Sequence, residues 1–310
     1  MPALLIVNPR ATSLTPSVRD SVIAAIAAEV DLTVADTQYR GHAGELARKA
    51  VTDGLDAVIT LGGDGTLNEA VNGLLADGVP GDPARLPAVA PLPAGSANVF
   101  ARSLGLPRDL RRATGLVLSA LRHGRRRPLT LGHADNRFFT FCAGLGLDAE
   151  VVRAVDEQRA AGRRATPARY VRTAVRGFFA ADRRHPALTV EVPGGPSIDG
   201  VLFGIVSNTA PWTYAGPLPV NPTPRARLVG GLDVLTVRRM DLLSSLALLA
   251  GMVAPGGIRP GHPGTAELHD MTGFTFTADR PVAFQVDGEY LGERTRIEFA
   301  AISDAVRLAV

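Results

Sequence analysis

Nine consecutive residues, Leu61-Gly62-Gly63-Asp64-Gly65-Thr66-Leu67-Asn68-Glu69, combine side chains and glycines that suit the holding of phosphate groups. They follow an apolar run at 57–60 and precede a helix-forming stretch at 70–75. Glycines let a backbone turn sharply and come close to an anion. The N-terminus of the following helix then offers unpaired N–H groups and a partial positive charge. Asp64 sits inside that turn, and a carboxylate beside phosphates implies a metal ion between them. The competing reading is an ordinary strand-to-helix turn capped by Asp64; the continuation Asp-Gly-Thr-x-Asn-Glu favours the nucleotide. A second glycine-bearing junction, 93–101 with Gly95 and Ser96, follows the apolar run 88–92. Far along the chain, Gln285-Val286-Asp287-Gly288-Glu289 sets two carboxylates around a glycine turn. Acidic hairpin turns are common, so the meaning of this one depends on what it faces; within reach of a hydroxyl, such a carboxylate accepts its proton.

The composition narrows the chemistry. Of 310 residues, 46% are hydrophobic and 20% charged, which makes the chain globular and long enough for two domains. The net charge of +3 is carried by arginine, because Lys49 is the only lysine. A Walker A loop needs Gly-Lys-Ser/Thr and a protein kinase needs a strand lysine, so both are excluded. Phosphoryl chemistry here must rely on glycine-loop amides, metal and arginines. Cys142 is the only cysteine, which rules out an internal disulfide and fits a reducing cytoplasm. No secretory leader is read at 3–7, and the longest apolar run, 242–254, holds serines and a glycine and falls short of a bilayer span.

Strand–helix alternation up to about residue 124 must position the two glycine junctions. Residues 3–7 read as a buried strand ended by Asn8-Pro9-Arg10-Ala11-Thr12, where Arg10 and Thr12 are donors for an anion. Thr15-Pro16 starts a helix, 31–36 is a second strand, and Gly41-His42-Ala43 opens a second helix after Thr37. His42 has no carboxylate or nucleophile tied to it, so it reads as a capping or packing residue. Parallel strands with helices on both faces bring both glycine junctions to one crevice outside the strand carboxyl ends. Beyond that point the period changes. Residues 128–133 and 137–143 read as an antiparallel hairpin, and a helix is expected from 149. The runs 188–192, 200–207, 232–238, 273–278, 282–286, 296–300 and 305–310 are short and β-rich. A mainly antiparallel sandwich is expected, with domains at 1–125 and 126–310. Arginines cluster at 122–127 and 159–184. In the second cluster Tyr170, Val171, Ala174, Val175 and Phe178 recur at helical spacing beside Arg169, Arg172 and Arg176. This suits either a basic face on anionic lipid or an ordinary solvated helix. Nucleic acid is disfavoured because no binding module accompanies the charge.

With these motifs in hand, the sequence resembles the diacylglycerol kinase catalytic-domain family of lipid kinases, which includes sphingosine and ceramide kinases. The resemblance rests on Asn8-Pro9, Thr37 with Gly41-His42-Ala43, Gly62 to Glu69, Pro93 to Asn98 with Phe100-Ala101-Arg102, Gly144-Leu145-Gly146-Leu147-Asp148-Ala149, and Asp287-Gly288-Glu289. Gly-Gly-Asp-Gly-Thr alone is shared with NAD kinases; the continuation Asn-Glu-Ala-Val-Asn-Gly is specific to the lipid branch. The resemblance implies a doubly wound α/β domain and a C-terminal β-sandwich whose end returns to the first domain, with ATP and Mg²⁺ in the cleft between them. By that likeness Asn8, Pro9, Arg10, Ala11, Thr12, Thr37, Gly62, Gly63, Asp64, Gly65, Thr66, Leu67, Asn68, Glu69 and Ser96 hold the nucleotide. Asp64 and Asp148 orient Mg²⁺, and Glu289 with Asp287 takes the proton of the lipid hydroxyl.

The implied activity is ATP- and Mg²⁺-dependent phosphorylation of diacylglycerol to phosphatidic acid. The alternatives are a sphingoid or other lipid alcohol as acceptor, an NAD-kinase-like enzyme, and a non-catalytic nucleotide-binding regulator. The implied partners are a lipid substrate, a transient membrane surface for a cytoplasmic protein peripheral at the inner face, and a second copy covering the sandwich edges in a homodimer. Two positions depart from the family pattern. Val99 stands where bacterial members carry Asp. Val229 stands where many supply the first carboxylate of a structural Mg²⁺ turn, so that ion is not expected at Val229-Gly230-Gly231-Leu232-Asp233.

Overall fold

Strands β1 (Pro2–Val7), β2 (Asp31–Asp36), β3 (Ala57–Gly62) and β4 (Ala88–Pro93) lie parallel, in the order β2-β1-β3-β4. Every residue of β3 and β4 is buried, as in a sheet covered on both faces. The returns are helices α1 (Pro16–Ala27), α2 (His42–Thr52), α3 (Asp64–Leu74), α4 (Val99–Ser103) and α5 (Leu110–Arg122). Their starts are written locally. Thr15 accepts the Val18 N–H at 3.4 Å ahead of Pro16, and Asp109 accepts the Arg112 N–H at 2.8 Å. Leu5, Ile26, Ile59, Leu61, Leu92 and Val117 share one apolar core. Because all four strands run the same way, the segments after Val7, Asp36, Gly62 and Pro93 leave from one edge. Strand β1 is flanked on both sides by its successors, which makes that edge a topological switch point.

This computed structural model describes residues 1–160, 173 and 185–310. The expected basic, amphipathic positions 169–172, 174–176 and 178 lie outside the described residues. The chain divides into one unit of Met1–Leu131 with Ser303–Val310 and a second of Gly132–Ile302. Strand β5 (Arg127–Ala134) spans the first boundary. The second unit is strand-rich: β6 (Arg137–Phe139), β7 (Cys142–Leu145), α6 (Leu147–Ala160), β8 (Leu188–Glu191), β9 (Ile198–Val201), β10 (Phe203–Ser207), β11 (Thr213–Ala215), β12 (Leu218–Val220), β13 (Leu232–Val237), α7 (Leu242–Val253), β14 (Thr265–Met271), β15 (Gly273–Val286) and β16 (Glu289–Leu308). The run β14-β13-β10-β7-β15-β16 is antiparallel throughout. Its core gathers aromatic rings, with Phe274 stacked on Phe299 at 5.1 Å. At the C-terminus, Leu308 pairs in parallel with Val89 in the first unit, and the Ala309 N–H donates to Val89 O at 2.8 Å.

An α/β unit followed by an antiparallel strand-rich unit is thus the architecture, with local differences from the sequence expectation. The segment 137–143 is not one strand. It breaks between Phe139 and Cys142, where the backbone N–H groups turn to a buried side chain instead of a ladder partner. The runs 273–278 and 282–286 fuse into β15, and 296–300 and 305–308 into β16, because irregular register is absorbed within the hairpin rather than ending it. Strand β14 escapes the alternation pattern since six of its seven residues are half-buried.

In the first unit, α2 and α3 meet at glycines. A Cβ on Gly73 would overlap the Gly44 carbonyl, whereas one on Gly65 of the same helix meets nothing. Gly73→Ala is therefore expected to lower stability by about 1–3 kcal/mol in urea denaturation, although alanine is the better helix former. Gly65→Ala should be neutral or slightly stabilising. Equal effects of the two would show that the helices part freely.

Candidate functional site

Strand β3 ends at Gly62, and Gly63, in extended conformation, caps α3 without a side chain. The Gly62 carbonyl accepts the N–H groups of Ala94 at 2.8 Å and Gly95 at 3.1 Å, which joins the two glycine segments. A Cβ on Gly95 would lie 2.5 Å from the Gly63 Cα, so the approach requires glycine there. Asn98 holds the turn in a left-handed conformation at φ 49°. Its Oδ1 accepts the Gly95 N–H at 2.9 Å and its Nδ2 donates to Gly95 O at 2.7 Å. Asp64 reaches across from the first segment to the second: Oδ2 accepts the Val99 N–H at 3.0 Å and Oδ1 the Phe100 N–H at 3.1 Å. Its carboxylate thus caps α4 from outside. Asn8 supports the loop from the end of β1, donating from Nδ2 to Thr66 Oγ1 at 3.2 Å while its Oδ1 accepts the Arg10 N–H at 3.0 Å.

The expected nucleotide residues sort into two groups. Gly63, Asp64 and Gly65 reach the surface at the strand-carboxyl edge, with Pro9, Arg10, Thr12 and Ser96 exposed and Asn8, Ala11 and Thr37 half-buried on the neighbouring strand ends. Leu67 and Asn68 are buried, Asn68 accepts from Asn72 Nδ2, and Glu69 accepts the Ala43 N–H at 3.3 Å at the start of α2. Asn68 and Glu69, expected among the residues that hold the nucleotide, thus have their side chains engaged within the fold. They belong to the packing beneath the loop, because the first turn of α3 rotates them toward the fold.

The carboxylate turn lies in the second unit. Asp287 and Gly288 both have positive φ, 47° and 77°, and Val286 pairs directly with Glu289, as a two-residue primed hairpin turn requires. The Asp287 carboxylate is buried and accepts four hydrogen bonds: Thr140 N–H at 2.7 Å, Thr140 Oγ1 at 2.8 Å, and the N–H groups of Phe141 and Cys142 at 3.0 Å each. Burial pushes this carboxyl up from the ordinary range, and those four donors pull it back. Asp287, expected to share the proton-accepting role with Glu289, has its oxygens engaged in bracing the β6–β7 break. Glu289 stays near the surface with its side chain 22% exposed, and Arg137 Nη2 donates to its Oε2 at 2.9 Å.

Asp148, in the first turn of α6, accepts from Gln285 Nε2 at 2.7 Å, and burial pushes its carboxyl up to about 6 against that hydrogen bond. Gln285 Oε1 in turn accepts the Gly288 N–H at 2.9 Å, so one buried glutamine ties Asp148 to the Asp287-Gly288-Glu289 turn. A Cβ on Gly144 would strike the Asp148 carboxylate, which accounts for the glycine in β7. The sequence alone gives no role to Gln285 or Arg137. A lone polar residue in the apolar run 282–286 was the available signal for Gln285; Arg137 had none beyond being an arginine. In the turn with Val229, Asp233 accepts from His269 Nδ1 at 2.8 Å and from the Asp270 N–H at 3.1 Å. No group of three or more His, Cys, Asp or Glu gathers as a metal cluster among the described residues.

A family model described as the diacylglycerol kinase catalytic domain matches residues 2–134. The curated diacylglycerol kinase of Bacillus subtilis is 38% identical over 111 residues, 36% of this chain and 33% of that protein. That of Staphylococcus carnosus is 31% identical over 115 residues, 37% of this chain and 34% of its own. The matched segments span about a third of these relatives' length. In fold the likeness runs further. A Bacillus anthracis (Sterne) crystal structure titled as a diacylglycerol kinase superposes with a TM-score of 0.73 at 18% identity, covering 99% of this chain and 96% of that one. A second crystal structure from the same strain reaches 0.77 at 20% identity with the same coverage.

The raised Asp148 carboxyl has a testable sign. The unfolded chain releases this proton near the ordinary 3.8 and the folded chain near 6. Stability from this group is therefore full below pH 4 and falls as pH rises through 6. In metal-free buffer, Asp148→Asn should unfold at higher urea than wild type at pH 7.5, by at most about 3 kcal/mol, and the two should converge at pH 4. A variant less stable than wild type at pH 7.5 would show that the ionised carboxylate is held favourably.

Proposed function

We propose that this chain, which carries the diacylglycerol kinase catalytic domain over residues 2–134, is a lipid kinase that transfers the γ-phosphoryl group of ATP to a lipid hydroxyl, in the first place that of diacylglycerol, giving phosphatidic acid. The observation that carries this reading is the glycine loop at the carboxyl edge of the parallel sheet. There Gly63 opens α3 with no side chain in the way, and Asp64 is fixed by two backbone N–H groups. Gly63, Gly65 and Thr66 offer backbone N–H groups and a helix N-terminus to the phosphates. Asn8 orients Thr66, and Arg10, Thr12, Thr37 and Ser96 extend the same edge toward the rest of the nucleotide.

On the acceptor side, Glu289 takes the proton as the lipid oxygen bonds to the γ-phosphorus and the bond from that phosphorus to ADP breaks. Arg137 holds the Glu289 carboxylate in one orientation. Asp287 positions the turn through its four hydrogen bonds rather than accepting the proton. The residues also suit Mg²⁺. Asp148 is a carboxylate pushed to about 6 with a single side-chain donor, Gln285, so a cation compensates it better than its present surroundings. Asp148 in the second unit and Asp64 in the first are each carboxylates that would hold such an ion or its waters, and Mg²⁺ when bound neutralises charge on the transferring phosphate. A lipid acceptor also brings the enzyme transiently to a membrane face. No helix among the described residues is long and apolar enough to cross one.

Label transfer from γ-labelled ATP to short-chain diacylglycerol tests these assignments. Glu289→Gln should lower kcat by about 100-fold or more while ATP binding persists, and Asp64→Asn should lose turnover to a similar extent. Asp287→Asn should cost stability as well as activity, because it removes a bracing carboxylate. Near-normal turnover in folded Glu289→Gln would sink the proton-acceptor assignment. ATP binding without any transfer by the wild type would favour a nucleotide-binding regulator.

A further inference from the structure

Helix α7, Leu242–Val253, contains no charged side chain. Leu248 and Met252 enter a core cluster with Phe203, Ile205, Leu235 and Ile258. The remaining large apolar residues, Leu242, Leu243, Leu246, Leu249 and Val253, are exposed, Leu243 to 79%. Their spacing places Leu242, Leu246, Leu249 and Val253 along one side of the helix. A surface helix ordinarily turns charge outward, whereas here leucines face out as well as in. Strand β12 joins the same cluster through Val220, and its Leu218 is exposed too. A contiguous apolar face of this kind marks an interaction surface.

The surrounding charge decides between occupants. Exposed Arg238 and Arg239 lie shortly before the N-cap Asp241 of the helix. Exposed Arg259 follows Ile258, which packs beneath Gly251 near its C-terminal end. Arg239 is held by the N-cap Asp241 at 2.5 Å, but Arg238 and Arg259 have no ion pair among the described residues. A second copy docked through a two-fold axis would set these cations against their own copies. A bilayer with anionic headgroups meets them with opposite charge. The helix is about 18 Å long, too short to cross a bilayer but suited to lie in its surface.

We infer that α7 docks the chain on an anionic lipid surface, with its leucine face at the acyl–headgroup boundary and the flanking arginines among the headgroup phosphates. The lipid-kinase reading supplies only the reason for such a surface, an acceptor that resides in the bilayer; the docking itself stands on the helix and its charges.

Because Cys142 is buried, Leu246→Cys creates one accessible thiol for an environment-sensitive fluorophore. Its emission should shift to the blue with vesicles of phosphatidylglycerol and phosphatidylcholine in equal parts. The shift should be smaller with phosphatidylcholine alone and should weaken as salt screens the arginines. A blue-shifted probe without vesicles overturns the inference: dependence on protein concentration would identify a second copy, and independence would identify the chain's own cover. No shift with any vesicle also overturns it. In parallel, Leu243→Glu combined with Leu249→Glu should weaken vesicle co-sedimentation by about tenfold or more. Label transfer from ATP to a dispersed short-chain acceptor should be unchanged. Vesicle binding without any transfer by the wild type would count against the kinase reading alone. Transfer without vesicle binding would count against the docking alone. If the double variant does not fold, the fluorophore result decides.

Discussion

The first unit depends on a contact between backbones with no side chains in between. Gly63 and Gly95 lie close enough that a Cβ on Gly95 would sit 2.5 Å from the opposite Cα. That closeness lets the Gly62 carbonyl take two N–H groups from the second loop and lets the Asp64 carboxylate cap α4. Without it, α3 and α4 would start independently, and the exposed edge of the parallel sheet would have two unconnected turns instead of one polar rim. The phosphate binding proposed for this edge depends on the same constraint, since helix N-termini and glycine N–H groups are useful to an anion only where no side chain covers them.

The second unit is governed by buried carboxylates treated in opposite ways. Asp287 is satisfied four times over and fixes the chain where β6 gives way to β7. Asp148 is left with one glutamine and a carboxyl pushed to about 6, an arrangement that costs stability at neutral pH. Gln285 links it to the turn that presents Glu289. Asp287 is thus the fully satisfied carboxylate of this unit, and Asp148 the sparsely compensated one.

Much of this was legible in the residues. The buried strands Ala57–Gly62 and Ala88–Pro93, the proline-started first helix and the Asp-Gly hairpin turn all carry local signals that survive folding, because turn and cap chemistry is decided within a few residues. The division of labour within the site was not legible. Asp287 and Glu289 are equal candidates on the page of letters; only long-range donors from Thr140, Phe141 and Cys142 show that one of them is a brace. Gln285 looks like one more strand residue until its side-chain contacts with Asp148 and Gly288 are seen. The break of 137–143 was hidden for the same reason, since its cause lies about 145 residues away in sequence.

The most direct measurement of the central claim offers γ-labelled ATP and Mg²⁺ to the intact chain with a panel of diacylglycerol, a sphingoid base and NAD⁺, and follows where the label goes. The account predicts label on a lipid hydroxyl, strongest on diacylglycerol. Label on NAD⁺ with none on any lipid would contradict it.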